Sequence, residues 1–213
     1  MTLNKLFFWR RYTTRQNSKY WAKRTYGWIE YLETWDNPHR YFISHILKQL
    51  VWISLVEIGC GSGPNLKNIV TQIGGKQLGG VDINPEAIEI ASKAFKGGFF
   101  KNCSANDIMM SDKSTDIVLS DAFYIYVGPL KIKKYLREAK RIARNNLVLC
   151  EYHHKSWLKR WKMRIFSGRH AYNYEKLLPK LGFYDVQAIK MPAFEQDNDQ
   201  EFRYIIIARA PKR

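Results

Sequence analysis

The sequence predicts an α/β fold with a doubly wound, mostly parallel sheet of seven strands. From Ser54 onward, short apolar segments of strand length alternate with amphipathic segments of helix length, which is the pattern of βαβ units. The first apolar segment ends in a run of glycines, as in turns that lead from a strand into a helix. Two further apolar segments near residue 200 are joined by a polar connection and predict an antiparallel hairpin.

Residues 1–50 are rich in aromatic and basic side chains and predict one or two helices before the sheet. Aromatic residues recur at roughly helical spacing from Tyr20 to Trp35. Pro38 suits the first turn of a second helix because its φ is already fixed near the helical value. We expect a helical cap over residues 1–50, whose aromatic side chains serve mainly for packing.

The central part of the chain predicts five strands separated by helices. Apolar and β-branched residues mark the strands, and proline opens one of the helices. The predicted strands are Leu55–Ile58, Gln77–Val81, a segment from Phe99, Asp116–Ser120 and Leu147–Glu151, and the helices are Asn65–Ile73, a segment from Pro85 and Leu130–Ala143. Connections between such parallel strands are right-handed.

A basic helical insertion is predicted after the fifth strand, at about residues 153–170. In a helix, Trp157, Leu158, Trp161 and Ile165 form one apolar stripe, and the basic side chains occupy the other faces. Such a helix can act as a lid over a site, contact phosphates or lie on an anionic membrane, and we favour the lid.

The remaining sequence predicts one more helix and the hairpin. The helix runs from Tyr172 to Leu181 and ends at Gly182, a residue type that commonly terminates helices. The hairpin strands are Tyr184–Ile189 and Phe202–Ala208. We therefore divide the chain into a cap, residues 1–50, and a main domain, residues 51–213.

The run from Glu57 to Gly63 is the motif that carries most information about function. Its three glycines, Gly59, Gly61 and Gly63, permit a tight turn and close approach of the backbone to a ligand. The helix that begins near Pro64 would point its free N–H groups at that ligand. A dinucleotide site would have glycine at the position of Pro64.

This acidic-x-Gly-x-Gly-x-Gly pattern resembles the first motif of the class I S-adenosylmethionine-dependent methyltransferases. The resemblance extends over roughly Pro38 to Ala208 and implies a Rossmann-like fold, S-adenosylmethionine as cofactor and S-adenosylhomocysteine as product. The cofactor-binding residues that it implies are Glu57, Gly59, Cys60, Gly61, Gly63, Asn65, Asp82, Ile83, Asn106, Asp107, Ile108 and Ser120.

The resemblance also implies individual roles within that set. Asp82 ends the second strand about 20 residues beyond the glycines, where a carboxylate accepts hydrogen bonds from the ribose hydroxyls. Asp107 would accept a hydrogen bond from the adenine amino group, and Ile83 and Ile108 would flank the ring. Ser120 ends the fourth strand, beside the methyl donor.

The acceptor side is less well defined by the sequence. After the fourth strand the chain reads Ser120 to Tyr126 without the Asp/Asn-Pro-Pro-aromatic motif of amino-group methyltransferases, which disfavours adenine, cytosine or glutamine as acceptors. Asp121, Tyr124 and His153 are the candidate catalytic residues, with Asp121 as a base or orienting group. A loop hydrogen bond is the alternative role of Asp121.

No metal site is expected, because the neighbouring His153 and His154 point to opposite sides of an extended chain. The three cysteines are too few and too scattered for a disulfide framework, and we expect buried thiols in a cytoplasmic protein. No apolar run has the roughly 20 residues that a transmembrane helix requires. The apolar cluster Leu6–Trp9 is too short for a secretory signal.

The net charge of +16 favours an anionic partner, such as RNA, a phosphorylated substrate or, less favoured, a membrane surface. We expect a methyltransferase that acts on a small molecule or metabolite, for instance a sugar or a biosynthetic intermediate. One alternative is an RNA methyltransferase that uses the basic surface. The other is a non-catalytic scaffold subunit that binds the cofactor and exposes the apolar side chains of its cap.

Overall fold

A computed structural model describes residues 18–25, 27–194 and 199–211 of the chain. The predicted cluster Leu6–Trp9 and most of the polar connection between the two hairpin strands lie outside these residues. Seven strands form one sheet in the order β3-β2-β1-β4-β5-β7-β6. They are β1 (Ser54–Ile58), β2 (Gln77–Asp82), β3 (Phe99–Asn102), β4 (Thr115–Asp121), β5 (Ala143–Tyr152), β6 (Tyr184–Lys190) and β7 (Arg203–Arg209).

The first five strands are parallel, as the alternating pattern predicts. β7 is antiparallel to both of its neighbours, β5 and β6. It pairs Ile205 with Cys150 on one side and with Ile189 on the other. The predicted hairpin is therefore present, and its second strand lies between the first strand and the rest of the sheet. The predicted fold class is confirmed.

Eight α-helices are found in the described part of the chain. They are α1 (Ser18–Ala22), α2 (Trp28–Leu32), α3 (Pro38–Lys48), α4 (Pro64–Gln72), α5 (Pro85–Ala94), α6 (Ile132–Ile142), α7 (Trp157–Ser167) and α8 (Tyr174–Leu177). Short 3-10 turns occur at Glu33–Asp36, Tyr124–Tyr126, Pro179–Leu181 and Gln200–Phe202. Proline occupies the first turn of three of the longer helices, where its missing N–H costs no hydrogen bond.

Two stretches differ from the predicted helices. The aromatic N-terminal segment is divided into short helices, and Gly27 separates α1 from α2 with a φ of 77°. The predicted helix from Tyr172 to Leu181 is reduced to α8 and the 3-10 turn after it. Pro179 explains this break, because it has no N–H with which to continue the α-helical pattern.

Helices cover both faces of the sheet. Alternate residues of β1 point to opposite sides, so Val56 joins the core beneath α6, whereas Leu55 packs with α3 and α4. α3 contributes Ile46 and Leu47 to this second core although the sequence places it in the cap. The division of the chain into two domains remains a prediction.

Candidate functional site

A cavity of about 780 Å³ opens where β1, β2 and β4 end. Carboxyl ends of parallel strands are the usual position of ligand sites in open α/β sheets. Its floor includes Gly59, Gly61, Asp82 and Asp121. Trp21, Trp28 and Tyr31 from the first two helices line it as well, together with Phe123, Tyr126 and Tyr135 from the segments after β4.

The glycine turn has the left-handed backbone that its sequence predicts. The φ angles of Gly59, Gly61 and Gly63 are 73°, 53° and 90°. A Cβ atom at Gly59 would lie 2.5 Å from Cδ2 of Phe123, and one at Gly61 would lie 2.9 Å from Cε1 of Tyr31. These glycines therefore allow aromatic rings of the protein, as well as a ligand, to approach the turn.

Asp82 is placed at the cavity by two backbone hydrogen bonds. Its carboxylate accepts from the N–H of Gly61 and the N–H of Asn84, both at 2.9 Å. Burial raises the pKa of Asp82, and these backbone donors oppose that increase. The arrangement fixes the carboxylate next to the glycine turn and leaves lone pairs on both oxygens. Ile83 lines the same cavity.

Asp121 belongs to a polar network behind the glycine turn. Its Oδ2 lies 3.2 Å from Nε2 of His39, 3.1 Å from Nδ2 of Asn65 and 3.5 Å from Nη1 of Arg40. Burial alone would raise the pKa of Asp121, but His39, Arg40 and Asn65 outweigh burial and hold the pKa well below its ordinary value. Asp121 is therefore an ionised carboxylate with a low affinity for protons.

Asn65 joins Asp121 to Glu57. Its Nδ2 also donates to Oε1 of Glu57 at 2.6 Å, and its Oδ1 accepts from Arg40. Oε2 of Glu57 and the hydroxyl of Ser62 are buried without a hydrogen-bond partner in the described part of the chain. Burial raises the pKa of Glu57 to about 8. The glycine turn thus contains polar atoms that still have bonding capacity.

The remaining predicted residues at the turn and on β4 are buried. Cys60 donates its thiol to the carbonyl of Gly61, and its side chain lies against Gly80. The hydroxyl of Ser120 donates to Glu151 at 2.9 Å. Neither Cys60 nor Ser120 lines the cavity. Residues next to them in the chain, Gly59, Gly61 and Asp121, line the cavity. A cofactor role for Cys60 and Ser120 remains a prediction.

The residues predicted to bind adenine lie beside the cavity wall. Cys103, Ser104 and Ala105 line the cavity, whereas Asn106, Asp107 and Ile108 do not. Asn106 accepts a hydrogen bond from Ser104 at 2.7 Å, Asp107 is exposed and Ile108 is buried. The roles of these three residues remain predictions.

Two of the three predicted catalytic residues lie outside the cavity. Tyr124 is fully buried, and its hydroxyl has no hydrogen-bond partner within the described residues. Nδ1 of His153 accepts from the N–H of Tyr174 at 3.2 Å, and its Nε2 lies 3.4 Å from Glu175. Burial lowers the pKa of His153. Of the three, Asp121 alone lines the cavity.

Glu151 is a positioning residue that was not among the residues predicted from the sequence. This buried carboxylate at the end of β5 accepts from the hydroxyl of Ser120 and from three successive N–H groups, those of Phe123, Tyr124 and Ile125. Burial raises its pKa to about 8. Glu151 thereby fixes the segment that forms one wall of the cavity. The signal in the sequence is an acidic residue at the end of an otherwise apolar strand.

Hydrogen bonds also attach the N-terminal helices above the cavity. Nδ2 of Asn84 donates to the carbonyls of Trp21 and Arg24, both at 2.7 Å. Nε of Arg40 donates to the carbonyl of Thr34 at 2.9 Å. The two bonds of Asn84 join α1 and the residues after it to the loop that follows Asp82, and the bond of Arg40 joins α3 to the 3-10 turn before it.

The described residues contain no group of three or more histidine, cysteine, aspartate or glutamate side chains that could hold a metal ion. Within the same residues, no helix has the length and apolar character that crossing a membrane requires.

Comparisons with solved structures agree with the fold. A chain from the complex of the Haloferax volcanii methyltransferase activator Trm112 with a candidate methyltransferase superposes with a TM-score of 0.61 at 17% identity, covering 85% of this chain and 98% of that one. A SAM-dependent methyltransferase from Archaeoglobus fulgidus gives 0.58 at 17% identity, covering 80% and 94%. The SAM-dependent methyltransferase SibL gives 0.67 at 13% identity, covering 84% of this chain and 56% of its own.

The family comparison identifies the domain. Residues 55–146, from β1 into β5, match the family model described as a methyltransferase domain. Over these residues the chain is similar to a methyltransferase domain. The solved structures share its fold, and two of those compared above are S-adenosylmethionine-dependent methyltransferases. No curated protein matches the sequence.

Proposed function

We propose that the protein is an S-adenosylmethionine-dependent methyltransferase, and that it transfers the methyl group to a small molecule bound in the cavity beneath α1 and α2. The observation that carries the proposal is the cavity itself. It extends from the glycine turn into an aromatic chamber, which is lined by Trp21, Phe123, Tyr126 and Tyr135. Its volume of about 780 Å³ is within the range of small-molecule sites and leaves room beside a cofactor.

The floor of the cavity would hold the cofactor. Asp82 would accept hydrogen bonds from the ribose hydroxyls, and the Cβ-free positions Gly59 and Gly61 would admit the methionine part of the donor. The residues present therefore fit the cofactor.

The aromatic chamber would hold the acceptor. Trp21, Phe123, Tyr126 and Tyr135 supply apolar ring surfaces, which favour an acceptor with an apolar body. Lys131 is on the same wall and favours an acceptor with an acidic group.

The chemistry requires alignment more than acid–base assistance. The sulfonium donor is already activated, so the enzyme must place the acceptor atom in line with the methyl group and exclude water. Asp121 is too weak a base to remove a proton from an acceptor. We assign it an orienting role, in which its negative charge at the cavity wall favours the positively charged donor.

The scaffold alternative requires an exposed apolar surface on the cap. In the described part of the cap, Trp28 and Leu32 of α2 are buried, whereas Ile29 is 64% exposed. Charge alone supports the RNA alternative. That alternative requires RNA affinity to fall steeply between low and moderate salt.

Isothermal calorimetry with S-adenosylmethionine and S-adenosylhomocysteine tests the donor site. We expect micromolar binding, weakened about 10- to 100-fold in Asp82→Ala because two hydrogen bonds to a charged group are lost. Glu89→Ala is the control, since Glu89 is an exposed residue paired with Lys93. Equal affinity in all three proteins would remove Asp82 from the ribose role. The acceptor is then sought by measuring S-adenosylhomocysteine formation with small molecules and with RNA.

A further inference from the structure

The apolar face of α7 points outward into solvent. Met163 is the buried residue on this helix. The exposed fractions are 69% for Trp157, 43% for Leu158, 50% for Trp161 and 69% for Phe166. Three of the four residues of the predicted stripe are thus exposed and the fourth, Ile165, is half-buried, so most of the stripe does not contribute to the core. Large exposed apolar patches mark interaction surfaces in soluble proteins.

The same helix is strongly basic. Its cations are Lys155, Lys159, Arg160, Lys162 and Arg164, counting the residue just before its N-cap. Helical geometry places Lys162 on one flank of the two tryptophans and Arg164 on the other. Two acidic side chains reach this region, since Lys155 pairs with Glu175 and Lys159 with Glu201. No acidic residue occurs between Tyr152 and Tyr174, so a positive excess remains.

α7 is also close to the mouth of the cavity. Arg164 lines the cavity, together with Pro129, Leu130 and Lys131 of the segment before α6. Leu130 is 101% exposed. An apolar tip and a basic amphipathic helix therefore border the same opening.

We propose that α7 and Leu130 form a docking surface for an anionic lipid bilayer. Exposed tryptophan and leucine with flanking lysine and arginine are the composition of a helix that lies in the membrane interface. The rings would enter the boundary between headgroups and acyl chains, and the cations would contact the anionic headgroups. Charge complementarity favours an anionic bilayer over a zwitterionic one.

Co-sedimentation of the full chain with lipid vesicles tests this proposal. We expect binding to vesicles of equal parts phosphatidylcholine and phosphatidylglycerol, weaker binding at high salt and little binding to phosphatidylcholine alone. The double variant Trp157→Ser with Trp161→Ser should lower the affinity about tenfold or more, because it removes most of the inserted apolar area. Lys162→Glu should lower it about fivefold or more.

Two control variants test the loss of an exposed apolar side chain and the reversal of a charge away from α7. Val51→Ser changes an exposed apolar residue before the amino end of β1, whereas α7 follows the carboxyl end of β5. Lys133→Glu reverses an exposed charge on α6. Both should bind vesicles like the parent chain. All changed side chains are exposed, so thermal unfolding midpoints should stay unchanged.

Three results would overturn the proposal. The first is no sedimentation with anionic vesicles, and the second is sedimentation that the α7 variants leave unaltered. The third is a concentration-dependent dimer in analytical ultracentrifugation that the double tryptophan variant abolishes, since α7 would then bind a second copy. RNA binding lost in Lys162→Glu, without vesicle binding, would assign the surface to nucleic acid.

Discussion

At the scale of single residues, the glycine turn is constrained by protein side chains as well as by its ligand. Phe123 approaches Gly59, and Tyr31 with Trp28 approaches Gly61, at distances that leave no room for a Cβ atom. Gly59 and Gly61 on the cavity floor are therefore in close contact with aromatic rings that line the cavity, Phe123 at Gly59 and Tyr31 with Trp28 at Gly61.

Gly61→Ala should lower the free energy of unfolding by more than the strain of its left-handed backbone alone. Gly75 provides the control, because its φ of 52° nearly equals the 53° of Gly61 while nothing lies within 4 Å of its Cβ position. Gly75→Ala should cost about 1–2 kcal/mol in the free energy of unfolding, from backbone strain. Gly61→Ala should cost about 1–3 kcal/mol more, from overpacking against Tyr31 and Trp28.

Urea unfolding measures both costs, and calorimetry should show weaker cofactor binding for Gly61→Ala alone. Equal destabilisation by the two substitutions would mean that the aromatic rings move away from Gly61 without cost.

The sequence predicted the residues of local motifs better than the residues that support them. Gly59, Gly61 and Asp82 were predicted from their spacing along the chain, and they line the cavity. His39 and Arg40 could not be predicted, because they reach Asp121 from about 80 residues away. Tyr124 and His153 were placed at the correct strand ends, but which side of the chain each occupies depends on tertiary packing.

At the scale of elements, one asparagine attaches α1 to the cofactor loop. Asn84 caps α5 through its side-chain oxygen, which accepts from the N–H of Ala87, and donates its amide hydrogens to the carbonyls of Trp21 and Arg24. Asn84→Asp should keep the cap and remove both donors. Amide exchange in residues 18–25 should then accelerate about tenfold or more, as about 1–2 kcal/mol of anchoring is lost.

Hydrogen exchange followed by mass spectrometry checks this prediction. Asn173→Asp is the matched control. The side-chain oxygen of Asn173 accepts from the N–H of Lys176 and caps α8, so this variant makes the same chemical change at another helix. Unchanged exchange in residues 18–25 of Asn84→Asp would show that packing alone holds α1 in place.

Helix α7 shows what periodicity can and cannot predict. The spacing of its apolar residues indicated a single stripe, and the stripe exists. Periodicity does not state whether a stripe faces a core or solvent, because that depends on neighbouring elements. The division of the N-terminal segment is a similar case, since a single glycine at Gly27 was not distinguished from the helical pattern around it.

At the scale of the whole molecule, buried carboxyls should make stability fall as the pH rises. Burial raises the pKa of Glu57 from an ordinary 4.5 to about 8. The folded state therefore keeps a proton that the unfolded state has lost, so the contribution is complete below about 4.5 and disappears as the pH rises through 8. Glu151 acts in the same direction. His153 and His170 act in the opposite direction. Burial lowers the pKa of each below its ordinary value of 6.5, so stability falls as the pH decreases below 6.5.

Comparison with Glu57→Gln separates the contribution of Glu57 from the others. Glutamine keeps an oxygen that can accept from Asn65 and does not titrate. The free energy of unfolding of the parent chain, relative to Glu57→Gln, should decrease steadily between pH 5 and pH 8.5 in urea titrations. Glu89→Gln should show no such trend, because Glu89 is exposed and its pKa is lowered by Lys93. A constant difference for Glu57→Gln would refute the raised pKa.

The position of β7 has a consequence for synthesis of the chain on the ribosome. β6 is made before β7, but it joins the sheet only through β7, which separates it from β5. A nascent chain that has been extended only to Lys190 therefore has its five parallel strands but an open edge along β5 and a strand with no partner. Completion of the domain must wait until residues 203–209 leave the exit tunnel. During that interval the unpaired edge of β5 is open to pairing with other chains.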